Sequence, residues 1–231
     1  MQRVQLESAF VLHSIPYRNT SLIVDLLTRQ FGRVSVVARS SRGPKSRYKG
    51  QLQAFVPLLV SYSGRHELKN LNQIELYSKP YDLLGNHMMC GFYLNELLVR
   101  LLHKEEACPQ LFALYQQTLL ELERGKHLER VLRIFEKRLL SQLGYGLALN
   151  TDASSGQAIE SERSYRFVFE RGFLEIDADI FESSVFSGSS LLALHNEALS
   201  NTAELHDAKR LMRLALSYYL GSKPLKSREL F

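Results

Sequence analysis

Eight basic side chains, Arg29, Arg33, Arg39, Arg42, Lys45, Arg47, Lys49 and Arg65, fall between Leu26 and His66, and that stretch holds no Asp or Glu. Cations crowded without counter-charges repel one another, so the segment suits a surface that meets a polyanion. The chemistry it offers is charge-assisted hydrogen bonding to phosphate. Its densest part, RSSRGPKSRYKG over Arg39–Gly50, carries Gly43 and Pro44 and reads as a loop. Arg33, Arg39, Arg42, Lys45, Arg47 and Lys49 are the expected phosphate contacts. The plainer reading of the same residues is a solvated loop that aids solubility.

Three further groups bear on this chemistry. Tyr17 and Tyr48 sit in polar loop context and are candidate faces for stacked bases, although most aromatics of a small β-domain are core. Lys209, Arg213, Lys223, Lys226 and Arg228 make a basic C-terminal segment. It extends a phosphate-binding surface or merely complements a helix C-terminus. Arg130, Arg133 and Lys137 recur at helical spacing beside Leu132 and Phe135, a basic edge along an apolar stripe. Such an edge suits an acidic, hydrophobic peptide; a solvated face neutralised by Glu129 and Glu136 is the alternative.

Catalytic constellations do not emerge. The chain has no GxxxxGK[ST] loop, no HExxH and no GxSxG. Asp177 and Asp179 fall short of the converging carboxylates of a metal-dependent nuclease. A binder without chemistry of its own is the expectation.

The elements that must carry these residues follow from periodicity. Up to about Lys79, five short β-branched and aromatic segments alternate with turn signals (PYRN, FGR, Gly43-Pro44, SGRH), which predicts a small closed barrel, either an OB-fold or an SH3-like barrel. After Pro80 the period changes to three and four. It predicts helices around 88–102, 111–122 and 128–143, the last stopped by Gly144 and Gly146. A polar loop over 150–163, a hairpin turning at Arg171-Gly172, and helices at about 189–198 and 202–220 complete the chain. The expected class is α+β: an N-terminal OB-fold, a five-stranded antiparallel barrel over 1–79, then an α-helical domain over 80–231 with a loop-and-hairpin insertion at about 148–176.

The global numbers agree. The 231 residues carry a net charge of +5 and 45% hydrophobic residues, enough for real cores. Two cysteines without CxxC spacing form no disulfide framework, and the N-terminus lacks the apolar stretch of a signal peptide. The expectation is a cytoplasmic protein.

The segments AFVLHSIPYRNTSLIVDLLTRQFGRVSVVARSSRGPKSRYKGQLQAFVPLL, GRHELKNL, YLNELLVRLL, LRIFEKRLLSQLGYGL and LGSKPLKSREL, in that order, resemble the bacterial RecO family. The resemblance implies an OB-fold followed by a helical domain. It also implies a non-catalytic recombination mediator of DNA repair, nucleoid-associated, that binds single- and double-stranded DNA and anneals complementary strands. The implied partners are RecR, with which such proteins help load RecA, and the single-stranded-DNA-binding protein, whose acidic tail docks on the helical domain. That implication singles out Arg130, Leu132, Arg133, Phe135 and Lys137. Many members carry a four-cysteine zinc module after LGYGL. Here ALNTDASSGQAIESERSYRF has neither cysteine nor histidine, so no zinc is expected and the segment must be held by packing and hydrogen bonds. The competing function is a protein adaptor whose basic surfaces serve acidic partners.

Overall fold

The computed structural model describes residues 2–43, 46, 48, 50–125, 127–176 and 182–227. Lys45, Arg47, Lys49, Arg228, Asp177 and Asp179 lie outside the described residues.

Five strands close a barrel in the order β1-β2-β3-β5-β4: β1 (Gln2–Tyr17), β2 (Ser21–Thr28), β3 (Gly32–Ala38), β4 (Leu58–Gly64) and β5 (Leu68–Leu76). This is the OB-fold. Alternation along each strand drives the closure, with Val24, Leu26, Val36 and Val60 wholly buried inside. Each contributes roughly 1.5–3 kcal/mol by leaving water. β1 is long enough to pair with β2 at one end and β4 at the other, and bends between them through irregularities at Val4/Glu7 and Val11/His13. One closing pair departs from the antiparallel expectation: β3 runs parallel to β5 over Ser35–Val37. Strand alternation reports which side chains face inward but not the direction of the neighbouring strand.

α1 (Asn86–Leu101) and α2 (Pro109–Arg124) follow, and both belong with the barrel. The pairing of β1 with β2 shifts register between Val11 and His13, and the carbonyls of Val11 and Leu12 lie at that shift. Buried Asn95 of α1 donates to both, at 3.5 and 3.0 Å, and accepts the Tyr115 hydroxyl of α2 at 2.6 Å. Phe10 packs against Phe112 and Tyr115 with ring centroids 5.4 and 5.2 Å apart. The compact units therefore divide at Lys126/His127, and Pro224–Phe231 is counted with the barrel unit. The change from strands to helices that periodicity places after Lys79 falls inside this first unit, because α1 and α2 pack on the barrel. Within this first unit, Glu96 of α1 fixes the returning tail by accepting from the amides of Lys226 and Ser227 and from the Ser227 hydroxyl.

The second unit, His127–Lys223, contains α3 (Leu128–Gln142), the strands β6 (Ser164–Val168), β7 (Gly172–Ile176) and β8 (Val185–Ser187), then α4 (Gly188–His195) and α5 (Thr202–Leu220). The expected hairpin is β6–β7. β8 adds to β6 and makes a sheet of order β7-β6-β8. At three residues, β8 is too short to show a period. α5 starts on a capping box, Asn201 with Glu204, which satisfies donors that the first turn leaves open.

Candidate nucleic-acid interface

The barrel unit holds 18 Lys and Arg against 11 Asp and Glu, whereas the second unit holds 11 against 13. The positive charge of the chain thus belongs wholly to the first unit, and a polyanion site is to be sought there.

A cleft of about 420 Å³ opens on the barrel between the β1–β2 turn, the end of β3 and the start of β5, lined by Tyr17, Arg18, Ser21, Val37, Arg39, Ser40, Leu68 and Asn70. Each part has a local cause. Arg18 takes a left-handed φ of 51°, which folds the turn tightly and lays its guanidinium 5.2 Å from the centre of the Tyr17 ring. The parallel register sets Val37 opposite Asn70, and exposed Arg39, two residues further on, donates to the Asn70 side-chain carbonyl at 3.0 Å. Arg42 donates to the backbone carbonyls of Arg18 and Asn19, both at 2.7 Å, and its own amide donates to Thr20 at 2.8 Å. Two guanidinium groups and one aromatic face therefore border a concave site, and a third arginine fixes the turn that carries them.

The basic residues expected to bind phosphate separate accordingly. Arg39 lines the cleft. Arg42 is exposed, yet its donors bind the β1–β2 turn, so it positions Arg18. Arg33 is absent from the cleft lining. Its guanidinium donates to the Val99 carbonyl near the end of α1, a tether between barrel and helix. Tyr48 is a correction: it is 3% exposed and its hydroxyl donates to the Leu71 carbonyl at 3.1 Å, so its ring is core and presents no face to a base. Tyr17 remains half-buried at the cleft. Arg18 and Asn70 were not foreseen; Arg18 lies outside the acid-free window, although its place beside Tyr17 in a turn was a usable signal. Among the C-terminal residues, Lys226 is exposed in the first unit. Lys209, Arg213 and Lys223 belong to the second, where Lys209 approaches Glu129 at 3.5 Å.

The basic face of α3 is spent on its own unit. Arg130 donates to the Glu197 carbonyl at 2.7 Å, and Lys137 donates to the carbonyls of Leu194 and His195 at 3.3 and 2.9 Å, closing the C-terminal end of α4. Lys137 and Arg138 both pair with the Glu197 carboxylate. Arg133 is buried against Glu136 at 2.7 Å, and Leu132 and Phe135 are core. Glu136 thus neutralises Arg133, but as a buried pair and not on the solvated face that the alternative reading expected. Glu197, 60 residues beyond Lys137, was invisible to helical spacing.

Asp152 organises the polar segment that follows α3. Its buried carboxylate accepts from the Ser155 hydroxyl at 2.6 Å, the Ser154 hydroxyl at 2.8 Å and the Ser154 amide at 3.0 Å, with the Ser155 and Glu175 amides further out. These donors, the Ser155 hydroxyl first, hold the Asp152 carboxyl well below the usual carboxylate range. A depressed folded-state pKa stabilises the fold above the unfolded pKa of about 4 and loses that contribution as pH falls through the folded value. Asp152→Asn should therefore lower stability at neutral pH by about 1.5–3 kcal/mol and leave a flatter acid limb below about pH 4. Thermal melts at neutral pH and at successively lower pH check both.

The chain matches the family model described as "Recombination protein O N terminal" over residues 1–79 and that described as "Recombination protein O C terminal" over residues 85–229. It is 52% identical over 231 residues to a DNA repair protein RecO from Coxiella burnetii, covering 99% of this chain and 98% of the relative. It is 43% identical over 229 residues to the DNA repair protein RecO of Methylococcus capsulatus, covering 99% and 93%. It is 41% identical over 230 residues to that of Nitrosospira multiformis, covering 99% and 95%.

Proposed function

The chain belongs to the recombination protein O family of DNA repair proteins, and from that premise we propose that it is a non-catalytic mediator that binds single- and double-stranded DNA through its barrel and anneals complementary strands. The observation that carries this reading is the cleft bordered by Tyr17, Arg18 and Arg39, on the unit that bears the chain's excess positive charge. Arginines reach phosphates, and the tyrosine face takes an unstacked base. The loop that continues from Arg42 adds Lys45, Arg47 and Lys49 by sequence, and Lys226 adds a cation to the same unit. Together with RecR, the protein helps load RecA onto DNA coated by single-stranded-DNA-binding protein. The acidic tail of that coating protein docks on the second unit. Arg130 and Lys137 are the cations it engages, by replacing the carbonyls they now hold.

A salt titration of single-strand affinity tests the DNA reading. Each phosphate neutralised contributes about 0.7 to the slope of log affinity against log salt. Five or six contacts predict a slope near −4, measured by fluorescence anisotropy. A slope near zero would return the protein to the adaptor reading, in which DNA binding is incidental.

A further inference from the structure

The cleft on the barrel holds polar side chains that neither stack nor neutralise phosphate. Ser21 lines it while only 9% exposed, and its hydroxyl makes no hydrogen bond among the described residues. Half-buried Asn70 accepts from Arg39 through its side-chain carbonyl, and its amide nitrogen has no acceptor among the described residues. Polar groups withdrawn from water without a partner carry a cost that a ligand can remove. Strand register gathers them beside the rest of the cleft. Tyr17 pairs with Ser21 next to the β1–β2 turn, and Val37 pairs with Asn70. Val36 and Ala38, on either side of Val37, face the core, so Val37 faces out.

The volume of about 420 Å³ is near the small end of the range for ligand sites and takes one nucleotide rather than a run of them. The amide of Asn70 and the hydroxyl of Ser21 share a property: each can both donate and accept. An unpaired base presents a donor beside an acceptor on its pairing edge. In adenine and cytosine these are an exocyclic amine and a ring nitrogen; in guanine and thymine, a ring N–H and a carbonyl. A side-chain amide matches that pattern for any of the four, because turning it over exchanges its donor and acceptor. A phosphate that takes the Arg39 guanidinium also frees the Asn70 carbonyl, so the whole amide becomes available once the backbone is seated. In a duplex the same edge is already spent on the partner base.

We propose that Asn70, assisted by Ser21, holds the pairing edge of one unpaired base of any identity, and so makes the cleft choose single-stranded over paired DNA without choosing sequence. The proposal rests on the reading of the cleft as the DNA site and adds to it the residues that tell the two forms of DNA apart. A complementary strand competes for the same edge, so pairing the base ends its capture.

A short labelled oligothymidylate, compared with the same oligonucleotide methylated on the pairing N–H of every thymine, tests this on the unaltered full-length protein. The methyl group removes the donor and blocks the edge while leaving backbone and charge as they were. Methylation should weaken binding by about two- to tenfold, the share of one neutral hydrogen bond. Asn70→Ala should lose about the same factor on homo-oligomers of thymine, cytosine and adenine alike, bind plain and methylated oligothymidylate equally, and leave duplex affinity undiminished. Equal affinity of the parent protein for the two thymidylates overturns the proposal. So does a loss in Asn70→Ala that is confined to one base or shared by duplex. Should Asn70→Ala fail to fold, as a melting curve would show, the methylated oligonucleotide decides on the parent protein alone. The Arg18/Arg39 double alanine variant separates the two levels of failure. If it loses affinity while methylation has no effect, the cleft is the DNA site and Asn70 does not read the base; if it keeps full affinity, the cleft is not the DNA site and the proposal falls with that reading.

Discussion

Replacing Arg18 and Arg39 together by alanine should weaken binding of a labelled single-stranded oligonucleotide about a hundredfold at low salt. Each guanidinium borders the cleft and is directed to an acceptor that a phosphate can replace: the Tyr17 ring for Arg18, the Asn70 carbonyl for Arg39. A charge-assisted hydrogen bond is worth roughly 1.5 kcal/mol at the lower end of its range, or about tenfold in affinity, and two such losses at separate positions add. The salt slope should flatten by about 1.4, the share of two single-strand phosphates. The loss should be equal across sequences, since phosphates carry none. Tyr17→Leu gives a different signature. It should cost about 1–3 kcal/mol on single strands and little on duplex, because only an unpaired base can leave its stack to lie on the ring. Arg42→Ala acts through the β1–β2 turn, so its effect should follow loosening of Arg18 and leave the slope nearly intact. Full affinity in the Arg18/Arg39 double variant would take the cleft out of the interface and leave the loop at 44–49 to carry it.

What could be read from the chain itself divides along a physical line. Strand alternation and helical spacing report which face of an element is apolar, and that sufficed for the five barrel strands and the five helices. Glycine past the last apolar residue marked the ends of α3 and α5. Long side chains behave otherwise, because their fate depends on an acceptor supplied from far along the chain. Arg33 looked like its neighbours in a basic run, yet its acceptor lies 66 residues on, at Val99. Lys137 and Arg130 shared a helical face, yet their acceptors are carbonyls 57 and 67 residues away, freed only because α4 ends there. Tyr48, set among polar residues, fills the barrel. The acid-free window lies in the unit that carries the chain's excess positive charge. Its individual cations had to be sorted by which carbonyls the fold leaves open, and spacing holds no record of that.

The most destabilising single change in the second unit should be Arg133→Ala. Arg133 and Glu136 face each other at 2.7 Å one turn apart on α3, with 7% and 1% of their surfaces exposed. Their attraction offsets the cost of taking both from water, and removing one partner leaves the other charged in a place that cannot solvate it. The expected loss is about 3–5 kcal/mol, and at roughly 2–4 °C per kcal/mol for a chain of this size the melting temperature should fall by about 6–20 °C. Arg133→Met combined with Glu136→Leu removes both charges and keeps apolar volume, and should recover most of that loss or exceed the parent protein. Melting curves of the single and double variants therefore separate a buried ion pair from an exposed cation: an exposed Arg133 would give a single variant that melts like the parent and a double variant that gains nothing. The comparison also decides how any weakened binding of an acidic tail in Arg133→Ala is to be understood. If the double variant restores tail binding along with stability, Arg133 supports the fold of α3 and the tail is held elsewhere. If stability returns and tail binding does not, the guanidinium itself reaches the tail after exchanging Glu136 for it.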